Sequence, residues 1–391
     1  MLVYFVAYFV YYKDEPGFSA IRLFSTLLML MSGVIVAISN VKKALTFCAF
    51  EIWLIVFIFV GFFTMLWTPS SSTVVGILMN LVRILIVAYF VRIRVRSEED
   101  LQTVLLLYVI ATLYMVIYVF MQMADMYTWE QILVRRFGDQ FEYNSNQTAV
   151  QCCFSILILT YFVKCKKKKI VSWGLMLFFV FILLLTQSKK GVICLVLGVF
   201  IAYYSNATGA KRARRVVIAI IGTLITYLLI TNIPFLYNLV GYRLEDLIES
   251  LMGRNLSMGE DSRRIELLET AIDTWLTNPL IGVGLANFSI VNFGISGAYA
   301  HNNYLELLAD VGLIGTAIYY SLPFCVLAKR YDKHDYQQVL LHTIVIILLV
   351  MDVAVVSYAN ISMMIFYALA LIKLEHNGCS ISTNRNVIMN K

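Results

Sequence analysis

Stretches of about 20 consecutive, mostly apolar residues recur along nearly this whole chain, and they decide what it can fold into. Inside lipid every backbone N–H and C=O must be satisfied within the protein, so a segment of that kind crosses as a helix. The composition agrees: 60% of the 391 residues are hydrophobic and 14% are charged, against roughly 25% charged in a soluble globular chain. The expected fold is an all-α integral membrane protein.

Twelve transmembrane helices are expected, near 1–12, 18–39, 44–67, 73–91, 100–122, 146–163, 169–186, 188–205, 215–233, 303–328, 338–357 and 359–374. The first run is short and lacks the basic leader and cleavage pattern of a signal peptide. The organisation that follows is a bundle of spans 1–9 over 1–233, a large extracytoplasmic loop over 234–302, spans 10–12 over 303–374, and a cytoplasmic tail over 375–391.

The formal charge of +7 raises the question of nucleic acid, but its placement indicates topology instead. Lys42 and Lys43, then Arg92, Arg94 and Arg96, then Lys164 to Lys169, then Lys211 to Arg215, then Lys329, Arg330 and Lys333 all fall in even-numbered connections. Basic loops stay in the cytoplasm, so both termini are expected there, in a multi-pass protein of the cytoplasmic membrane with no nucleic-acid partner. The seven cysteines form no C-x-x-C pair and read as small membrane hydrophobes.

Charges outside this pattern carry the functional information. "TQSKKGV" joins spans 7 and 8 on the outer side, which puts Lys189 and Lys190 where topology does not need them. Such lysines either snorkel to the interface or hold an anion in a polar cavity, with Gly191 letting the backbone approach it. Arg263 and Arg264 form a second outer cationic site, and Arg135 and Arg136 a third. Guanidinium groups suit phosphate because they present a planar fork of donors. "RRIELLETAIDTWLTNPL" predicts a helix in the outer loop. Ile265, Leu268, Ile272, Trp275 and Leu276 share one side, Asp261 or Ser262 caps the start, and Pro279 stops it.

His301 is the one histidine expected outside, and it opens span 10 beside Asn302 and Asn303. Glu306 and Asp310 stand at i, i+4 on one helical face, and one of them is a candidate to orient the imidazole. No cluster has the carboxylate density of a dedicated cation site, so neither metal nor cofactor is expected. Within the bundle, Glu51 and Arg83 are expected at matching depths in spans 3 and 4 and so as a buried ion pair.

From Arg264 to Gly315 the sequence resembles the signature region of the O-antigen ligase and repeat-unit polymerase family. Arg264 in "RIELLETAI", then "NPLIGVGLANF", then "HNNYLELLADVGLIG" follow the family's order, and "TQSKKG" resembles its T-x-S-R-x-G element with Lys189 at the usual arginine. The resemblance implies a membrane glycosyltransferase working at the outer face of the cytoplasmic membrane. It would join oligosaccharide repeat units carried on a polyprenyl diphosphate into a capsule, exopolysaccharide or O-antigen, alongside a flippase and a chain-length regulator. Arg264, Arg263, Lys189, Lys190 and Asn302 would then hold the diphosphate, and positive charge there stabilises the leaving group. His301 would either take the acceptor's proton or bind a phosphate oxygen. A ligase, which moves glycan to a different acceptor, shares these motifs. A lipid-linked sugar flippase would also bind diphosphate, but no inverted repeat is visible in the chain.

Overall fold

Helices stand at each expected span except the ninth, 215–233, which lies almost wholly outside the described residues. The computed structural model describes residues 1–10, 16–39, 41, 45–141, 143–165, 169–204, 214, 228, 231–233, 237, 241, 260–292, 298–329 and 332–373. The described residues are helical and contain no strand. In chain order the elements are α1 (Leu2–Val10), α2 (Pro16–Ser39), α3 (Ala49–Thr64), α4 (Ser71–Arg94), α5 (Glu98–Met126), α6 (Trp129–Val134) and α7 (Ser145–Lys164). There follow α8 (Lys169–Leu185), α9 (Lys189–Tyr204), α10 (Glu260–Thr277), α11 (Phe288–Val291), α12 (Asn303–Ala328), α13 (Tyr336–Met351) and α14 (Ile361–Lys373). Five of these, Ala20–Ser39 within α2 together with α4, α5, α7 and α12, are long and apolar enough to cross a bilayer, and α3, α8, α13 and α14 are shorter apolar helices. The chain is a multi-pass helical membrane protein.

It divides into two compact units. Unit 1 holds Met1–Met31, Glu98–Asn255 and Asp332–Ile347. Within it α1 packs on α5, burying Tyr4, Phe5 and Phe9, with the Phe9 ring edge-on to Tyr108 at 5.3 Å. At nine residues and 1.5 Å per residue, α1 is too short to cross a bilayer. The centre of the unit is α7, in contact with α5, α8 and α9. Gly191 belongs to this packing: a Cβ there would meet the Ala149 Cβ at 2.5 Å, so glycine lets α9 close on α7. That is a helix-packing role.

Unit 2 holds Ser32–Ser97, Leu256–Tyr331 and Leu348–Lys391. Here α3 packs on α4 and on α12, and α12 also carries α10 and α11. The Trp53 indole donates to the Ile318 carbonyl at 2.8 Å and ties α3 to α12. Glu51 pairs with Arg92, at 2.6 Å, and not with Arg83. Both side chains are buried, with Glu51 also accepting from the Cys48 amide and Arg92 donating to the Thr46 carbonyl. Arg83 is exposed and donates to Asn80. The reason is depth: α3 begins at Ala49 instead of residue 44, so Glu51 lies in its first turn, level with the last turn of α4.

The last expected spans are also shorter than their apolar runs. α13 ends at Met351 and α14 begins at Ile361, and the non-helical link between them carries the buried Asp352.

Candidate functional site

The α10 helix begins at Glu260, so the expected caps Asp261 and Ser262 fall inside it. Leu267, Ala271 and Thr274 turn inward, with Arg264 half-buried on the same side, while Ile265, Ile272 and Leu276 are exposed. The face turned inward is the one whose small residues permit close contact: Ala271 packs with Phe288 of α11, Ala300, and Ala309 of α12. Packing buries the small residues and leaves Ile265, Ile272 and Leu276 outward.

After α10 the chain runs through "NPLIGVGLAN" against a break in α12. Gly312 there has φ 64° and ψ −170°, a conformation essentially confined to glycine. The break frees backbone groups of α12, and the incoming loop takes them up. Val283 and Gly284 donate to the carbonyls of Ala309 and Asp310 at 2.9 and 2.8 Å. In return the amides of Leu313 and Ile314 donate to Pro279 and Leu280 at 2.9 and 3.2 Å. The second glycine of "GLIG", Gly315, does face a neighbouring helix, with Val60 of α3 3.3 Å from where a Cβ would stand.

Both candidate carboxylates serve this assembly. Asp310, fully buried, accepts from the amides of Ala286 and Phe288, each at 2.8 Å. Glu306 accepts from the Ala300 amide at 2.6 Å. Glu306 therefore fixes the backbone immediately before His301. His301 has φ 54°, an uncommon left-handed conformation for a non-glycine residue. Asn302 is the N-cap of α12, its side-chain oxygen accepting from Tyr304 and Leu305 at 2.9 and 3.1 Å.

Tyr299 links the two expected centres. Its ring lies 4.1 Å from the His301 ring, centroid to centroid. Partial burial and the charge of Glu306 raise its hydroxyl above the ordinary tyrosine range, while the guanidinium of Arg264 opposes that rise. Tyr299 thus sits against His301 and in the field of Arg264. Arg263 is exposed on α10.

The other expected cations lie in unit 1. Lys189 and Lys190 open α9, behind Ser188, whose hydroxyl donates to Asn146 and accepts from Gly191. Arg136 belongs to the same turn: it donates to the Thr186 carbonyl at 3.4 Å and pairs with Asp139 at 3.3 Å. Arg135 lies over the Tyr127 ring at 4.4 Å. Arg136 and the "TQSKKG" element, read separately in the sequence, therefore share one neighbourhood.

A second buried network was not legible as part of the site. Asn303 donates through its amide nitrogen to Tyr320 at 2.9 Å and to Asp352 at 3.3 Å, and accepts from the Ser357 and Tyr358 amides at 2.9 and 3.2 Å. The Tyr320 hydroxyl donates to Asp352 at 2.9 Å. This ties the first residue of α12 to the link after α13. The available signal was a carboxylate within an apolar run, which is costly in lipid unless it is used. Among the described residues no group of three His, Cys, Asp or Glu is arranged to hold a metal ion.

Residues 174–320 are similar to the family model described as O-Antigen ligase. The match runs from α8 through "TQSKKG", Arg264 and His301 to Tyr320, and it covers every motif that carried the resemblance. It points to a membrane glycosyl-transfer enzyme acting on lipid-linked glycans. A comparison with curated proteins returned no match.

Proposed function

We propose that this protein polymerises oligosaccharide repeat units carried on a polyprenyl diphosphate, by metal-independent glycosyl transfer at the outer face of the cytoplasmic membrane. The observation that carries the reading is the similarity of residues 174–320, which include Arg264 and His301, to the family model described as O-Antigen ligase. In the step, an acceptor hydroxyl attacks the anomeric carbon of the donor sugar. The bond to the diphosphate oxygen breaks, and its electron pair leaves with the diphosphate. Arg264, with Arg263 beside it, neutralises that charge. His301 takes the acceptor's proton. Glu306 and Asn302 position His301 through the backbone on either side of it. Lys189 and Lys190 enter as diphosphate contacts from the sequence alone.

A second reading is favoured by the description of the matched family: ligation, in which the finished glycan moves to a different acceptor. Incubating purified protein with a lipid-diphosphate repeat unit separates the two. Longer lipid-linked chains support polymerisation, transfer only to an added acceptor supports ligation, and an unchanged donor under both conditions overturns both.

A further inference from the structure

The break at Gly312 interrupts the winding of α12, so the segment 303–311 is not aligned by the rest of that helix. Its N-terminal end needs an anchor of its own, and Asn303 supplies it. The side chain is fully buried and spends its whole hydrogen-bonding capacity. Its oxygen accepts from the Ser357 and Tyr358 amides, and its nitrogen donates to the Tyr320 hydroxyl and the Asp352 carboxylate. The Asn303 amide also donates to the Asp352 carbonyl at 2.7 Å. Asp352 is the common partner: its buried carboxylate accepts from Asn303, Tyr320 and Ser357. Beside it the Tyr304 hydroxyl donates to the Leu349 carbonyl at 2.8 Å, with its ring stacked on Tyr320 at 4.5 Å between centroids. All of these residues belong to unit 2.

Apolar contacts alone would hold two such segments together, and a buried carboxylate is costly to keep there. What a satisfied polar network adds is a single fixed arrangement. The residue next to that arrangement is His301. Glu306 holds the Ala300 amide before it, and Asn302 after it caps α12. Both belong to the start of α12, so they set His301 relative to that start alone. Asp352 sets the start of α12 relative to the link after α13. We propose that Asp352 is a positioning residue for His301, acting through Asn303 and Tyr320, and that the link after α13 is therefore part of the transfer site. That link lies beyond the residues similar to the family model. The proposal rests on the reading of His301 as the acceptor's base, where a misplacement of about 1 Å costs about 100-fold in rate.

The test compares the full chain with Asp352→Ala, Asp352→Asn and Arg92→Met in detergent. Asparagine keeps an oxygen for Tyr320 and Asn303, and its nitrogen can donate to the Ser357 hydroxyl, so the hold survives without the charge. Arg92→Met destabilises the same unit through the Glu51 pair and is the control for lost stability alone. In Asp352→Ala, kcat for glycan transfer should fall about 10- to 100-fold with KM for the lipid-diphosphate donor little changed. Asp352→Asn should recover most of that rate, and Arg92→Met should melt earlier yet keep its kcat. A second readout needs no glycan: modification of His301 by diethyl pyrocarbonate, located by peptide mass spectrometry. It should run about tenfold faster in Asp352→Ala, the worth of one buried hydrogen bond that keeps the segment closed, and near the wild-type rate in Asp352→Asn. Unchanged His301 reactivity in Asp352→Ala would overturn the proposal. So would equal kcat losses in the alanine and asparagine variants, or the same loss in Arg92→Met. A wild type that transfers no glycan, with His301 reactivity still following Asp352, would sink the catalytic reading and leave the positioning standing. If Asp352→Ala does not fold, Tyr320→Phe, which removes the hydroxyl between Asn303 and Asp352, replaces it with the same expected outcomes.

Discussion

Replacing Gly312 by alanine tests the central geometry of the candidate site. At φ 64° and ψ −170° an L side chain is strained by about 1–3 kcal/mol. The added Cβ would also stand 2.3 Å from the Leu280 carbonyl carbon and 2.4 Å from the Ile281 nitrogen. Both are backbone atoms, so no side-chain rotation relieves the clash. Moving that backbone breaks some of the four hydrogen bonds between the loop and α12, each worth about 1 kcal/mol net. The total is on the order of 3–6 kcal/mol, a large fraction of the stability of an ordinary domain. The control is Gly76→Ala in α4, where a Cβ would meet nothing within 4 Å, so no loss is expected. The assay is thermal unfolding of the detergent-solubilised protein followed by tryptophan fluorescence. Trp67 is a local reporter because its indole donates to the Gly282 carbonyl at 3.0 Å. A Gly312→Ala protein melting with the wild type and with Gly76→Ala would refute the broken-helix reasoning.

Four further outcomes are expected. Arg92→Met should destabilise the protein by about 3–5 kcal/mol, because it strands the buried Glu51, and adding Glu51→Gln should recover much of the loss in the same melting assay. Arg264→Ala should lose glycan transfer at normal membrane abundance, and Arg264→Lys should keep part of it, since a point charge replaces a fork; full activity in the alanine variant removes the phosphate role. His301→Ala should abolish transfer while donor binding stays near normal. Wild-type rates in the variant would eliminate the base. Chelator should leave transfer intact, and a divalent requirement restored by magnesium would recast Glu306 and Asp310 as ligands.

Much of this protein was determined by the sequence itself, for a physical reason: lipid admits few solutions. Long apolar runs must be helices, so the elements at 71–94, 98–126, 145–164 and 303–328 were legible from composition and length. Polar residues retained against that cost marked Arg264, His301, Glu306 and Asp310. Tertiary structure decided what those residues touch. Glu51 pairs with Arg92 because a helix starts five residues later than its apolar run, and hydropathy does not register where a backbone stops winding. α10 buries Ala271 and exposes Ile272 because close packing against α12 favours a small side chain over a hydrophobic one. Gly312 proved to be a break that exchanges backbone hydrogen bonds with a loop some 30 residues earlier in the chain, and Asp352 a buried anchor for Asn303. Pairings of that kind depend on which segments meet in space, and local periodicity carries no record of them.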